Sequence, residues 1–370
     1  MRLHNLISRI RGESKTVGLD IGHRLARVAV VEHKQGMKGT LLALEQETIP
    51  EGIVVDNEIR NVSVLIDRVQ TLLTRASPGG IDGDFLISVN WTSGILCDKM
   101  LVKPVPKVPE RELILQTAQG RPPFDDAGNI LDYSILEYKE EGIEAMIVAA
   151  KKDSLTAWIN LFQALNIKLC AIDVDAFVLS NIYSASRADI SGLSSGGEAE
   201  MDESVLLLNF GHGKSYAALL RNGHFSTARS ILGGSVSDLQ EQLSGPLGIL
   251  PEQSGELLMG TGARDSELDD SKIKFATEFV FEEVAMKVDT ALRYFSSADN
   301  YKKPTKMVLT GGGSNIIGLE AFLADRLSVQ SVQLNPFKNV ELDKSRFLGV
   351  DWNTAASTYS VALGLALRRF

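Results

Sequence analysis

Asp20, Gly22, Asn209, Gly211 and the triplet Gly311-Gly312-Gly313 are the residues whose types and spacing suit a polyphosphate. Thr16 to Glu32 reads TVGLDIGHRLARVAVVE: a short apolar strand, an Asp-x-Gly turn and a second strand. Glycine lets the backbone bend sharply and leaves its N–H exposed, so such a turn can hold an anion against peptide amides. The pattern returns at Val205 to Leu220, VLLLNFGHGKSYAALL, with Asn209 and Gly211 in the places of Asp20 and Gly22. A third glycine turn, Met307 to Ser314 (MVLTGGGS), follows a strand and leads toward a helix. Carboxylate repels a triphosphate unless a cation intervenes, and Mg2+ keeps several waters that oxygen side chains can hold. Asp20 is therefore an acceptor for hydrated magnesium, and the amides around Gly22 and Gly211 are left for phosphate oxygens. Lys214 reads equally well as a point positive charge beside phosphate or as a solvated loop lysine.

Gly213-Lys214-Ser215 does not make a P-loop, because Leu208 stands where the first glycine must and an alternating strand follows. Neither Gly311-Gly312-Gly313 nor Gly211-x-Gly213 completes a dinucleotide pattern. A chain of 370 residues, 44% hydrophobic and 23% charged, is long and apolar enough for two or three globular units. Its net charge of −9 argues against nucleic acid as a general partner. Cys97 and Cys170 lack metal spacing and the five histidines form no cluster, so both thiols are expected to be reduced and buried. No apolar run approaches the roughly 20 residues that span a bilayer, and Met1 to Ile10 lacks the apolar stretch of a secretion signal. A cytosolic location is the expectation.

The elements that must position the turns follow from periodicity. Met1 to Lys15 is a small basic amphipathic pattern, read as a frayed tail or as a contact for an anionic membrane surface. Strands are expected at Val17 to Ile21, Leu25 to Glu32, Thr40 to Ile49 and Phe85 to Val89, with a helix carrying Val62, Leu65, Ile66, Val69, Leu72 and Leu73. From about Cys97 the rhythm changes. Pro104, Pro106 and Pro109 exclude a central strand; then come a helix at Glu110 to Gln119, strands near Asp132 to Tyr138 and Ala145 to Ala150, and a helix at Ser154 to Leu165. This is a compact inserted unit of βαββα type. A strand at Leu169 to Val174 and a helix at Ala176 to Tyr183 lead into Ser184 to Glu203, a Ser, Gly and acid rich connector. Beyond it, Asn222-Gly223 is a type I′ hairpin signal, and Gly260 to Ser271 is an acidic loop. Ala276, Val280, Val284, Val288, Ala291 and Phe295 mark the core face of a long helix, and Ala355 to Leu367 is an apolar helix with Ala362 and Gly364 small enough for close packing.

Two related halves with facing phosphate turns and a glycine-rich purine seat resemble the actin, Hsp70 and sugar-kinase ATPase superfamily. In detail the chain resembles the PilM family, cytoplasmic actin-like ATPases of type IV pilus assembly related to FtsA. Pro50-Glu51-Gly52-Ile53-Val54 with Asp56-Asn57-Glu58-Ile59, Pro123-Phe124 with Leu131-Asp132-Tyr133, Val148 to Lys152, Ile172 to Phe177, Gly233-Gly234, Leu309 to Gly313, Asn335-Pro336-Phe337 and Tyr359 to Leu367 carry that resemblance in order along nearly the whole chain. It implies an α/β actin-like ATPase fold of two duplicated, ribonuclease H-like lobes with an inserted 1C subdomain. The implied division is a tail at 1–15, lobe 1 at 16–185 with 1C at about 97–168, a connector at 186–203, lobe 2 at 204–335 and a segment at 336–370 returning to lobe 1.

The resemblance also implies ATP and Mg2+ as ligands. It places Asp20, Gly22, His23 and Arg24 in the first phosphate loop, Asn209, Gly211, Gly213 and Lys214 in the second, and Gly311, Gly312, Gly313 and Ser314 at the adenosine. Glu256 falls near ribose or adenine, and Asp175 stands near the hydrolytic water. The implied partner is a PilN-like inner-membrane protein whose cytoplasmic N-terminal segment lies between 1A and 1C, which puts the chain at the inner membrane through its partners. His23, Arg24 and Leu25 depart from the family's small hydroxyl residues, and Asn209 replaces an Asp. A charge-assisted hydrogen bond is worth roughly 1.5–3 kcal/mol, so magnesium placement weakens by about ten- to a hundredfold and binding survives better than hydrolysis. Rival readings are a turnover ATPase or kinase, an FtsA-type membrane-tethering filament protein, whose terminal linker and amphipathic helix are not matched at Arg368-Arg369-Phe370, and a type II secretion domain.

Overall fold

A computed structural model describes residues 14–35, 37–91, 94–191, 203–261, 268–297, 301–332 and 334–368. Near-continuous apolar runs form the first strands, as expected where helices cover both faces of a sheet. The chain begins with the antiparallel meander β1 (Ser14–Ile21), β2 (Leu25–His33) and β3 (Gly39–Thr48), then a short hairpin of β4 (Val54–Val55) and β5 (Glu58–Ile59), helix α1 (Val62–Ala76) and β6 (Asp84–Val89). The inserted stretch holds β7 (Ile95–Val102), α2 (Glu110–Gln119), β8 (Asn129–Lys139), β9 (Gly142–Lys151) and α3 (Lys152–Ala164). After β10 (Leu169–Val174) and α4 (Asp175–Ser191), a second meander follows: β11 (Ser204–Phe210), β12 (Ser215–Arg221) and β13 (His224–Ser230). Helices α5 (Val236–Leu247), α6 (Pro251–Met259) and α7 (Asp270–Phe295) precede β14 (Lys306–Thr310), a 3-10 turn at Gly312–Asn315, α8 (Leu319–Leu327) and β15 (Gln330–Ser331). The last elements are β16 (Val340–Glu341), α9 (Trp352–Thr358) and α10 (Ser360–Ala366).

Strand order shows the duplication. One sheet runs β10-β6-β1-β2-β3-β16 and the other β13-β12-β11-β14-β15. In each, an antiparallel meander is extended by a parallel strand beside its first member, β6 on β1 and β14 on β11. The inserted strands form their own sheet in the order β7-β9-β8, leaving β8 at an edge. Its inward residues Leu131, Tyr133 and Ile135 pack with Ile114, Ala118, Ile143, Ala145 and Ile147 in a separate core.

Helices α4 and α10 join the two large sheets. Val178 and Ile182 of α4 and Val361 and Leu365 of α10 share one core with Val17 and Leu19 of the first sheet and with Val205, Leu207 and Ala218 of the second. The opposite face of β11, with Leu206, Leu208 and Phe210, packs on Val280, Val284 and Val288 of α7, the face its 3.6-residue period marks. Gly364 meets Val178 and Ile182, and β16 pairs with β3.

Several local expectations shift. β1 already begins at Ser14, with Lys15 opposite Glu32, while residues 1–13 lie outside the described set. Helix α4 continues through Ser191 into the stretch read as connector, whose residues 192–202 lie outside the described set, as do residues 262–267 of the acidic loop. The terminal helix divides at Tyr359, whose ring lies under the Arg27 guanidinium. Neither cysteine forms a disulfide; burial pushes the Cys97 thiol up to about 12, but Cys170 is exposed on an edge strand rather than buried. Among the described residues no helix is long and apolar enough to cross a membrane.

The closest approach in this packing is at Gly18, where an added Cβ would stand 2.0 Å from the Ala362 carbonyl oxygen and 2.6 Å from the Ala366 amide nitrogen. Backbone cannot step aside as a side-chain end can. Gly18→Ala is expected to lower unfolding free energy by at least about 3 kcal/mol. Gly79→Ala, which meets nothing within 4 Å, should change it by less than about 1 kcal/mol. Urea unfolding of both variants is the measurement; a Gly18→Ala protein as stable as its parent would mean that α10 does not lie on β1.

Candidate functional site

The two meanders turn in the same way. Gly22 N–H donates to the Leu25 carbonyl and Gly211 N–H to the Lys214 carbonyl, each at 2.9 Å. The glycine amides are thereby used within the turns, which leaves any phosphate contact to the amides that follow them. The second turn is also tied to the start of α5, since Val236 and Ser237 donate to the Gly211 and His212 carbonyls at 3.0 and 2.9 Å. Between the turns lies a cavity of about 250 Å³.

Asp20 reaches the cavity from the end of β1. Directly across the ladder stands Arg27, with Nη1 3.8 Å from Asp20 Oδ2. Burial raises the Asp20 carboxyl, and Arg27 pulls it part of the way back. Arg27 is itself buried, and its Nε has no hydrogen-bond partner. Asp175 opens α4 on the opposite wall. Its Oδ1 accepts from the Trp91 and Ala176 amides, both at 2.8 Å, and its Oδ2 accepts from Asn209 Nδ2 at 3.3 Å. Burial outweighs those bonds and, with Asp20 adding repulsion, pushes Asp175 up to about 8. The Tyr216 ring is buried beside them, its hydroxyl raised by burial and by the Asp175 charge.

The glycine triplet closes the far end. Gly311 has φ 81°, and a Cβ there would meet Asn209 Oδ1 at 2.5 Å and Phe210 O at 2.6 Å, so glycine is required on both counts. Gly311 and Gly312 line the cavity with Gln240 and Met259 opposite and Ser357 and Thr358 beside them. Gly313 is packed on Phe210 and Val236, and Ser314 Oγ donates to the Gly311 carbonyl at 2.7 Å; these two shape the turn and do not line the cavity.

His23, Arg24 and Lys214 line the cavity with Asp20, Gly22, Asp175, Asn209 and Gly211, whereas Gly213 and Glu256 do not. Gly213 leaves room for the His23 ring, 2.4 Å from where its Cβ would be. Glu256 is exposed on α6, with Met259 facing the cavity in its stead. Lys214 is paired across the two halves of the chain and remains partly exposed: its Nζ lies 2.8 Å from Asp56 Oδ1. Burial lowers His23 below its usual range, and its Nε2 is buried without a partner. Arg27, Asn90, Trp91 and Tyr216 were not anticipated. Arg27 and Tyr216 were legible, since counting back across each turn sets them opposite Asp20 and Asn209; Asn90 and Trp91 follow β6, which only the fold brings alongside.

Among the described residues no three metal-ligating side chains cluster. A divalent cation would therefore be held mainly through phosphate and water, with Asp20 as the acceptor, as magnesium commonly is. Paired buried acids, an arginine with a spare donor and a glycine-shaped far end fit a magnesium nucleotide.

A second recess, of about 490 Å³, lies between the edge strands β8 and β10. Ile130 and Leu136 of β8 face it and are 41% and 40% exposed. Met146 and Val148 of β9, Ile172 of β10 and Phe177 of α4 extend the apolar lining, and Asp173 with its partner Arg368 adds a charged pair. Trp91, Phe177 and Phe225 stack at 4.7 to 6.5 Å between this groove and the cleft.

The Asp175 shift carries a sign. Folding takes up a proton there between the ordinary carboxyl value of 3.8 and about 8, so its contribution to stability is full below 3.8 and is lost as pH rises to 8. Asp175→Asn should remove a slope of up to about 1.4 kcal/mol per pH unit from the unfolding free energy between pH 5 and 8. Parallel urea-unfolding series would show it; equal slopes for the two proteins would mean that Asp175 is ionised in the fold.

A family model for type IV pilus assembly protein PilM matches residues 18–370. Among solved structures, a PilM-PilN type IV pilus biogenesis complex is similar with a TM-score of 0.77 at 22% identity, covering 95% of this chain and 97% of that one. A diol dehydratase-reactivating factor in nucleotide-free form gives 0.55 at 12% identity, with 96% and 99% covered. The ethanolamine utilization protein EutJ from Carboxydothermus hydrogenoformans gives 0.52 at 12%, with 95% and 89% covered. At these identities the likeness is one of fold, the actin-like ATPase fold. With the family match running across almost the entire sequence, this chain belongs to the type IV pilus assembly protein PilM family.

Proposed function

We propose that this chain is a nucleotide-binding scaffold of type IV pilus assembly, holding Mg-ATP in the cleft and, in the groove, the cytoplasmic N-terminal segment of a PilN-like inner-membrane protein. Its place is then the cytoplasmic face of the inner membrane, reached through that partner. The observation that carries the reading is the groove, where two open strand edges and exposed apolar side chains flank a long recess. Such an edge offers unpaired backbone donors and acceptors to an extended peptide, and the side chains beside it select the sequence. A PilM-PilN complex among the similar structures supports the same assignment.

Magnesium, when bound, neutralises phosphate charge and orders water. Asp20 would accept from that water, Arg27 would turn its spare Nε toward phosphate, and amides following Gly22 and Gly211 would meet phosphate oxygens. Gly311 and Gly312 would seat the nucleoside, with Gly313 and Ser314 holding the turn. Asp175, raised to about 8, is largely protonated at neutral pH, so only a minor fraction is free to take a proton from water there. That favours retention of nucleotide over turnover, and a scaffold over the alternative of an actin-like ATPase or an FtsA-type tethering filament.

Calorimetric titration with a synthetic peptide of the partner's first residues, from the same organism, tests the groove. Leu136→Asp should weaken that binding at least about tenfold and leave Mg-ATP affinity unchanged; undetectable peptide binding to the unsubstituted protein would defeat the assignment. In the cleft, Asn209→Asp restores a carboxylate and should tighten Mg-ATP about ten- to a hundredfold, while lowering stability in EDTA because a third acid then adjoins Asp20 and Asp175. Magnesium-independent affinity in both proteins would remove the acids from any role with the cation.

A further inference from the structure

The turn between β4 and β5 lines neither recess, yet it is bonded to residues of the cleft and to helix α3, which reaches the groove. Val54 pairs with Ile59 and Val55 with Glu58, leaving Asp56 and Asn57 as a two-residue loop with φ 53° and 66°. Asp56 holds Lys214 of the second phosphate turn at 2.8 Å. Asn57 is buried and exchanges both amide bonds with Asn90, Nδ2 donating to its carbonyl at 2.9 Å and Oδ1 accepting from its N–H at 2.8 Å. The Asn57 carbonyl accepts from Ser154 Oγ and Trp158 Nε1 of α3, each at 3.0 Å.

Each of these bonds leads somewhere. Asn90 and Trp91 line the cleft, and the Trp91 amide holds Asp175. Ser154 is followed by Leu155, which lines the groove. The ion pair itself is weak, because Asp56 is half exposed and Lys214 a third exposed, and solvent screens such pairs. A polyphosphate brings several negative charges to the same ammonium, so it outcompetes a single screened carboxylate.

Resting on the reading of cleft and groove above, we propose that Asp56 is a positioning residue that competes with nucleotide phosphate for Lys214, and that the Asp56–Asn57 turn couples the two recesses. Nucleotide that takes Lys214 releases Asp56, and the turn then carries the change to α3 through Asn57. Because linkage is reciprocal, peptide in the groove must alter nucleotide affinity by the same factor.

Calorimetry on the full chain, with Mg-ATP and the synthetic partner peptide as probes, tests this. Asp56→Asn should tighten Mg-ATP by about three- to tenfold and Lys214→Met should weaken it, with the double variant matching Lys214→Met alone. In the unsubstituted protein each ligand should change the other's affinity by at least about fivefold. That factor should fall toward one in Asp56→Asn, and also in Asn57→Gly, which keeps the left-handed backbone but removes the amide. A merely structural Asp56 would give weaker binding of both ligands and a lower melting temperature, which overturns the proposal. Nucleotide and peptide binding that remain coupled in Asp56→Asn overturn this inference alone; absence of any nucleotide binding overturns the reading of the cleft and this inference with it.

Discussion

Two buried acids stand at the cleft, Asp20 and Asp175, and only Asp20 has a cation in ion-pair reach among the described residues; that imbalance governs the site. Desolvating a carboxylate costs several kcal/mol unless a partner stands close. Arg27 answers Asp20 across the β1–β2 ladder, and nothing of opposite charge answers Asp175, which therefore keeps its proton near neutrality. Asn209 belongs to the same balance. Its amide is a donor to Asp175, and an acid in its place would put a third acceptor among groups that already repel. An amide in that place thus leaves the cleft with two buried acids to balance and not three.

The architecture makes the cleft and the groove two sides of one wall. Asp173 faces the groove with Arg368, Val174 is buried, and Asp175 opens helix α4 into the cleft. Two residues further, Phe177 returns to the groove. Helix α4 is packed between the two sheets with α10, so neither face of the wall can move alone: interiors at close-packed density transmit displacement rather than absorb it.

What could be read from the chain was whatever is local. The Asp20 and Asn209 turns, the Asn222-Gly223 hairpin, α2 at Glu110–Gln119 and the buried face of α7 follow from spacing within one segment. What escaped depends on partners far away in sequence. Cys170 looks like a core cysteine until β10 proves to be an edge strand. Glu256 and Met259 stand on one short helix, and only its docking decides which of them meets the cavity. The end of α4 was misplaced because serine, alanine and acid at its C-terminal part read as connector, whereas helical hydrogen bonding, once nucleated on a packed face, continues through weak formers. Lys214 could be given a partner only by bringing a hairpin from the other half of the chain beside it.

The two tight hairpins of this protein explain why Asp56 and Asn57 are not an ordinary turn. Both are two-residue loops with positive φ at each position. At Asn222-Gly223 the second residue is the one that reaches φ 81° without steric cost. At Asn57 a side chain occupies the left-handed region, where glycine would be easier on backbone grounds. Asparagine is one of the few side chains that visit this region, and here it makes two amide bonds to Asn90 that glycine lacks, with Asn90 in the wall of the cleft. The turn accepts either residue, so the choice of asparagine over glycine at position 57 follows from its bonds to Asn90 and not from the turn. The short hairpin is accordingly tied to the wall of the cleft, although it contributes no lining to it.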